Sequence, residues 1–137
     1  MRIHNDYLTI QSKEKREFRT ITTNVKFAVE KSGITEGIVL VAVLHTNAAV
    51  FLNEEEAGLL QDVDAWLQKI APVQADYKHG TKFESNASAH FQSLMLSTTA
   101  IVAINGGKLE LGPWQQVIYA ELDGQRPKKI LIKVMGE

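Results

Sequence analysis

The aliphatic run at residues 38–44 most constrains the fold of this chain. It is unbroken and rich in β-branched residues, it follows Gly37, and it ends at His45. Its length and flanks favour a central β-strand with apolar residues on both faces. The run is also far shorter than the ~20 residues that a membrane-spanning helix requires. The sequence therefore predicts a sheet protein built around this strand and no insertion into a membrane.

Three further segments with apolar residues at helical spacing predict helices. Each begins at residues that can cap a helix. The first segment ends at a Gly, and the second ends before a Pro. The predicted helices cover residues 22–33, 53–72 and 85–96, with Asn86 or Ser85 as the cap of the third. The apolar positions of the second are Leu59, Leu60, Val63, Trp66, Leu67 and Ile70, and those expected to face inward on the third are Ala89, Leu94 and Met95.

Alternating apolar and polar residues predict the remaining strands. They lie near residues 7–12, 17–21, 98–104, 114–122 and 129–134, and the last two flank a turn at 123–126. Trp114 is expected to be a core aromatic. Because strands outnumber helices and the closing strands form a hairpin, we predict an α+β fold. Residues 1–137 should form a single domain, with a mainly antiparallel sheet and about three helices packed outside it.

Composition narrows the chemistry available to these 137 residues. The chain has no cysteine, which excludes disulfides, Cys-ligated zinc, iron–sulfur clusters and thiolate nucleophiles. Any metal must therefore be held by His and carboxylate. With a formal net charge of -1, the chain lacks the positive field of a non-specific nucleic-acid binder. Residues 1–6 do not begin a signal peptide. We expect a cytoplasmic protein with no nucleic-acid partner.

Three histidines lie at element ends or in loops. His45 follows the central strand, His79 is in a loop, and His90 shares one face of the third predicted helix with Asn86. One interpretation is that the imidazoles converge on a divalent ion such as Zn or Mg, on a phosphate or on a transferable proton. The other is that they are unrelated surface or capping residues, because no pair has a metal-binding spacing.

A second group of polar residues is C-terminal. Lys108 follows two glycines, and Arg126 lies in the predicted turn, so each could hold a phosphate. Glu121 and Asp123 have the same strand parity and should face one side. The alternatives are a polar hairpin turn for Lys108 and a solvated sheet face for the two carboxylates.

Six short motifs follow one another along the chain: HTNAA at 45–49, NE at 53–54, YKH at 77–79, NASAH at 86–90, GKLELGPWQ at 107–115 and ELDGQR at 121–126. In order and spacing they resemble the YjbQ family, and the resemblance covers about residues 16–136. The family's motif positions correspond to His45, His79, Asn86, His90, Trp114, Gln115, Glu121 and Arg126. The chain differs from the usual pattern at Asn47, Pro113 and Gln125, and Leu96 falls near a position where Gly is common.

The resemblance implies a homotrimer of an α+β fold and an activity labelled secondary thiamine-phosphate synthase. Such an enzyme joins a pyrimidine diphosphate to a thiazole phosphate and releases pyrophosphate. Arg126 and Lys108 would hold the phosphate, and His45, His79 and His90 would bind a divalent metal or donate protons. Asn86, Gln115 and Glu121 would orient these groups. The alternatives are a non-catalytic phosphorylated-metabolite-binding protein and a metal-dependent hydrolase that uses a His-bound water.

Overall fold

The computed structural model describes residues 1–80, 85–124 and 126–137. Within these residues, the chain forms eight strands and three helices. The strands are β1 (Arg2–Ile10), β2 (Glu17–Thr20), β3 (Gly37–Val43), β4 (Ala48–Asn53), β5 (Thr99–Asn105), β6 (Lys108–Leu109), β7 (Gln116–Glu121) and β8 (Lys128–Gly136). The helices are α1 (Thr22–Ser32), α2 (Ala57–Ile70) and α3 (Ala87–Leu96).

The strands form two antiparallel sheets. The first has the order β1-β8-β3-β5-β6 and the second has the order β2-β7-β4. The short segment between β3 and β4 carries the chain from one sheet to the other. This arrangement confirms the predicted α+β class with mainly antiparallel sheet. The predicted closing hairpin was wrong, because β7 and β8 lie in different sheets.

The main core lies between the five-stranded sheet, α1 and one face of the three-stranded sheet. Val39, Val41 and Val43 point into it from β3. Ile38, on the other face of β3, is 41% exposed. The apolar run is therefore a central strand, as predicted, but only its inner face is fully buried. The other face of the three-stranded sheet forms a second core with α2 and α3, which includes Ala49, Leu67, Ala89, Ala120 and Leu122.

Local hydrogen bonds set where the helices begin and end. The hydroxyl of Thr22 accepts the amide N–H of Val117 at 2.9 Å, so it fastens α1 to β7 and does not cap the helix. Gly33 ends α1 in the left-handed conformation, at φ 69°, as its position predicts. The α2 cap is Glu56, whose carboxylate accepts the amides of Gly58 and Leu59.

The inward face of α3 differs from the predicted one. Leu94 is 78% exposed and Met95 is also exposed, so their inward assignment was wrong. The buried face instead includes Ala89, Gln92 and Ser93. The Ser93 hydroxyl donates to the Ala48 carbonyl of β4 at 2.7 Å, and the Gln92 amide donates to the Ala71 carbonyl at the end of α2 at 2.9 Å, so polar groups of α3 face β4 and α2.

Other exposed apolar side chains also depart from the sequence pattern. Trp66 and Ile70 of α2 are about half exposed, and only Leu67 of this helix is fully buried. Trp114 is 72% exposed, so the prediction of a core aromatic was wrong: it lies in the turn before β7. None of the described helices is long and apolar enough to cross a membrane.

Candidate functional site

A polar cavity opens where the two sheets and α3 meet. It has a volume of about 290 Å³ and is lined by Asn47, Asn86, Asp123, Arg126 and Lys128. Asn47 lies in the segment between β3 and β4, Asn86 precedes α3, Asp123 follows β7, and Lys128 begins β8. The cavity therefore collects residues from four chain segments that the two-sheet topology brings to one place.

The Asp123 carboxylate holds the cavity walls together. Its Oδ2 accepts the side-chain amides of Asn47 at 3.3 Å and Asn86 at 3.1 Å. Lys15 lies 3.9 Å from Oδ1. Because the backbone amide of Gly124 also donates to the Lys15 carbonyl at 2.8 Å, the loop before β2 fixes the Asp123 corner against the site.

A pair of imidazoles extends from this network. His79 Nε2 lies 3.0 Å from Asn86 Oδ1, and His90 Nδ1 lies 3.0 Å from the Thr46 carbonyl. The two rings contact edge to face, with centroids 4.8 Å apart at 85°. Loop 78–80 and α3 thus bring two of the three predicted histidines together beside the cavity.

Hydrogen bonding sets the neutral tautomers of this pair. Since Asn86 turns its NH₂ group to Asp123, its oxygen accepts a hydrogen bond from His79, whose Nε2 therefore carries the proton. The Thr46 carbonyl has no proton to donate, so His90 Nδ1 carries one. The available lone pairs are therefore His79 Nδ1 and His90 Nε2, and either nitrogen can accept a proton from a ligand.

His45 has a different environment. Its Nε2 accepts the backbone N–H of Lys129 at 2.8 Å, so the neutral ring carries its proton on Nδ1. Burial lowers the pKa of His45 and the nearby Lys128 charge lowers it further, while the Glu121 carboxylate acts in the opposite direction. The ring therefore joins the segment after β3 to β8 as a hydrogen-bond acceptor.

The histidine metal site stays a prediction. Across residues 1–80, 85–124 and 126–137, no group of three or more His, Asp or Glu side chains is placed to hold a metal ion. The arrangement explains this finding in part, because His45 Nε2 is engaged by the Lys129 amide and His79 Nε2 by Asn86.

Glu121 lies beneath the cavity and is 1% exposed. It accepts hydrogen bonds from the Tyr119 hydroxyl at 2.9 Å, the Lys128 ammonium at 2.6 Å and the Asp123 amide at 3.2 Å. Burial and the Glu121 carboxylate together hold the pKa of Tyr119 far above its usual value. Glu121 is thus a buried anion that positions Lys128, and its contacts are to the protein interior.

Two predicted residues lie away from this cavity. Lys108 lines a separate cavity of about 340 Å³, with Lys26 and Glu30. The Gln115 side chain accepts the Gly112 amide at 2.9 Å and is exposed. The structure therefore separates Lys108 from Arg126 within the chain. The predicted residues that lie in one region are His79, Asn86, His90, Glu121 and Arg126, with His45 at its edge.

Sequence reasoning missed Lys128. In β8, Ile130, Ile132 and Val134 are buried, and Lys128 has the same strand parity. This parity was the available signal, since it places a charged residue on the inward face next to predicted site residues. A lysine in that position needs a partner, which Glu121 provides.

Comparison with known proteins supports the fold and motif order. The family model for UPF0047 protein YjbQ-like matches residues 6–137. A UPF0047 protein from Methanothermobacter thermautotrophicus is 34% identical over 137 residues, covering 100% of this chain and 95% of that protein. One from Archaeoglobus fulgidus is 36% identical over 128 residues, covering 93% and 98%.

Solved structures show the same architecture. A YbjQ-like protein of unknown function from Sulfolobus solfataricus has a TM-score of 0.94 and 33% identity, covering 98% of each chain. A YjbQ/UPF0047 family protein from Clostridium acetobutylicum has a TM-score of 0.89 and 32% identity, covering 95% of this chain and 99% of that one. The fold and site thus define an α+β protein of two antiparallel sheets with a polar cavity at their junction. This chain belongs to the YjbQ-like UPF0047 family.

Proposed function

We propose that this chain binds a small phosphorylated metabolite in the cavity at Arg126 and transfers protons to or from it through His79 and His90. The observation that carries the proposal is the hydrogen-bonded chain from His79 through Asn86 to Asp123, which reaches the cavity that Arg126 also lines. Such a site combines a cation for phosphate with imidazoles that can exchange a proton.

Charge supports an anionic ligand. Among the residues that the structure describes, no carboxylate forms a salt bridge with Arg126, whereas Asp123 has Lys15 nearby and Glu121 has Lys128. A planar guanidinium can donate two parallel hydrogen bonds to phosphate oxygens. Arg126 is therefore the residue that we assign to the phosphate of the ligand.

The first reaction to test is the joining of a pyrimidine diphosphate to a thiazole phosphate. In that reaction the thiazole nitrogen forms a bond to the pyrimidine methylene carbon, the carbon–oxygen bond breaks, and pyrophosphate leaves. Arg126 would bind the departing anion, and the imidazole pair would donate a proton to its oxygens. This role requires the imidazolium form, which carries an additional proton on His79 Nδ1 or His90 Nε2 and returns to the neutral tautomer after the transfer.

Binding without chemistry is the second candidate. The cavity volume of about 290 Å³ is at the small end for ligand sites and suits one small phosphorylated molecule better than two substrates together. In this version Asp123 and the two asparagines shape the site, and the ligand leaves unchanged.

One assay separates the two candidates. Protein purified from a host that lacks its own thiamine-phosphate synthase is incubated with both substrates, and products are measured by mass spectrometry. In parallel, a thermal-shift screen measures stabilisation by phosphorylated compounds. Product formation that is lost in His90→Gln supports transfer, while stabilisation without any product supports binding alone.

Arg126→Ala and Arg19→Ala form the matched pair. Both remove a guanidinium, but Arg19 pairs with Glu17 on β2 and does not line the cavity. Arg126→Ala should weaken phosphate binding by roughly tenfold or more, and Arg19→Ala should not change it. Equal binding by the wild type and Arg126→Ala, or no binding of any phosphorylated compound by the wild type, would refute the proposal.

A further inference from the structure

Lys128 is a buried cation at the floor of the same cavity. It is 3% exposed, yet it lines the cavity together with Arg126. Glu121, to which it is paired, does not line that cavity. Lys128 thus contacts both the buried carboxylate and the cavity.

One N–H group of the Lys128 ammonium has no acceptor among the residues that the structure describes. The ammonium has three N–H groups. One donates to Glu121 Oε2 at 2.6 Å and another to the Asp123 carbonyl at 3.1 Å. No other acceptor for Lys128 occurs among residues 1–80, 85–124 and 126–137. Because an unpaired buried donor is unfavourable, the third N–H needs an acceptor, which a water or a ligand oxygen in the cavity can supply.

The charges around the cavity point to the same conclusion. Glu121 and Asp123 are the nearby carboxylates, whereas Lys15, Arg126 and Lys128 together carry one positive charge more than these two groups. The groups around the cavity therefore have a net positive charge, which favours an anionic ligand. Glu121 is already stabilised by the Tyr119 hydroxyl and the Asp123 amide, so it does not depend on its partner Lys128 alone.

We infer that Lys128 is a second anion-binding residue of this site, which donates its third N–H to a phosphate oxygen while Arg126 holds another. This inference rests on the proposed function and narrows its ligand to compounds whose phosphate can accept hydrogen bonds from two cationic side chains. A tetrahedral phosphate monoester presents oxygens to the floor and the rim at the same time, whereas a planar carboxylate offers only two oxygens in one plane.

The test compares two neighbouring lysines by titration with inorganic phosphate. Lys128→Met removes the buried charge, and Lys129→Met removes the charge of the next residue, whose ammonium lies 5.2 Å from the Tyr7 ring centroid. Lys128→Met should weaken phosphate binding roughly tenfold to a hundredfold, and Lys129→Met should leave it within about twofold. Lys128→Arg should retain binding better than Lys128→Met.

A second variant covers the case in which Lys128→Met does not fold, because that substitution leaves Glu121 without its cation. The double substitution Glu121→Gln with Lys128→Met removes both charges and keeps the interior neutral. It should fold and still fail to bind phosphate. In the wild type, the Lys128 Nζ NMR signal should shift when inorganic phosphate is added.

Each outcome separates the two proposals. If Arg126→Ala loses phosphate binding while the folded double variant binds normally, or if the Lys128 Nζ signal does not move, the role of Lys128 is wrong and the proposed function stands. If the wild type binds neither inorganic phosphate nor any phosphorylated compound, both are wrong.

Discussion

Replacing His45 by Ala should destabilise the protein at neutral pH and by less at acidic pH. The substitution removes the acceptor of the Lys129 backbone N–H, a 2.8 Å hydrogen bond that joins the segment after β3 to the start of β8. A protonated imidazole carries hydrogen on both nitrogens and can no longer accept that N–H. The bond therefore exists only while His45 is neutral.

The magnitude follows from one hydrogen bond. Its net contribution is about 1 kcal/mol, and loss of the partly buried ring brings the expected cost of His45→Ala to about 1–2 kcal/mol. Burial and Lys128 keep the folded pKa of His45 below its ordinary value, so the unfolded chain takes up the proton first as the pH falls. The stabilisation is complete above about pH 6.5 and is lost as the pH falls towards the folded pKa.

Urea denaturation followed by tryptophan fluorescence, at several values between about pH 8 and pH 5.5, measures this effect. The difference in unfolding free energy between wild type and His45→Ala should shrink by about 1 kcal/mol over that range. His4→Ala is the control, since His4 pairs with Val134 further along β8 and should not alter the pH dependence contributed by His45. A difference that stays constant across the range would refute the role assigned to the imidazole.

Three other substitutions test backbone and core features by the same denaturation assay. Ser97 has φ 91° and ψ 151°, a region favoured only by glycine, and its hydroxyl donates to the Thr99 carbonyl and accepts the Thr99 amide. Both Ser97→Gly and Ser97→Ala lose these hydrogen bonds, but only glycine relieves the backbone strain, so Ser97→Gly should be more stable than Ser97→Ala by about 1 kcal/mol. Thr22→Val should cost about 1–2 kcal/mol, because the buried Val117 amide loses its acceptor. Gly124→Ala should cost about 1–3 kcal/mol, because the added Cβ would collide with the Glu14 carbonyl. Equal stability of the two Ser97 variants, or an unchanged stability in either of the others, would contradict the feature on which that prediction rests.

The parts of the fold that the sequence predicts are those with local signals. The β3 strand and all three helices follow from the pattern of apolar residues, and the end of α1 follows from Gly33. The β4 strand was missed, because the run at 48–53 follows the central strand after a short polar segment without a Gly or Pro turn signal. Leu94 was assigned inward on its hydrophobicity, whereas hydrogen bonds from Ser93 to β4 and from Gln92 to the end of α2 decide which side of α3 is buried.

The candidate site was predictable in its residue types and not in its contacts. Position at element ends identified His79, His90 and Arg126 as candidates. The connection from His79 to the cavity depends on Asn86, which forms one hydrogen bond with His79 and another with Asp123. No spacing rule in the sequence links these segments. Lys108 illustrates the converse, because a glycine-flanked lysine had a plausible phosphate-binding pattern and yet lines a different cavity.

The position of β8 between β1 and β3 has a consequence for biosynthesis. Arg2 pairs with Gly136, and Gly37 pairs with the same residue from the other side. When β8 leaves the ribosome, β1 and β3 are already outside the exit tunnel, and the edges that β8 will pair with are still free. The five-stranded sheet therefore forms late and through contacts between distant parts of the chain. Such contacts slow folding and leave the nascent chain open to chaperones. Because β8 also brings Lys128 and the amide that binds His45, a ribosome-bound chain that stops short of it lacks one wall of the polar cavity.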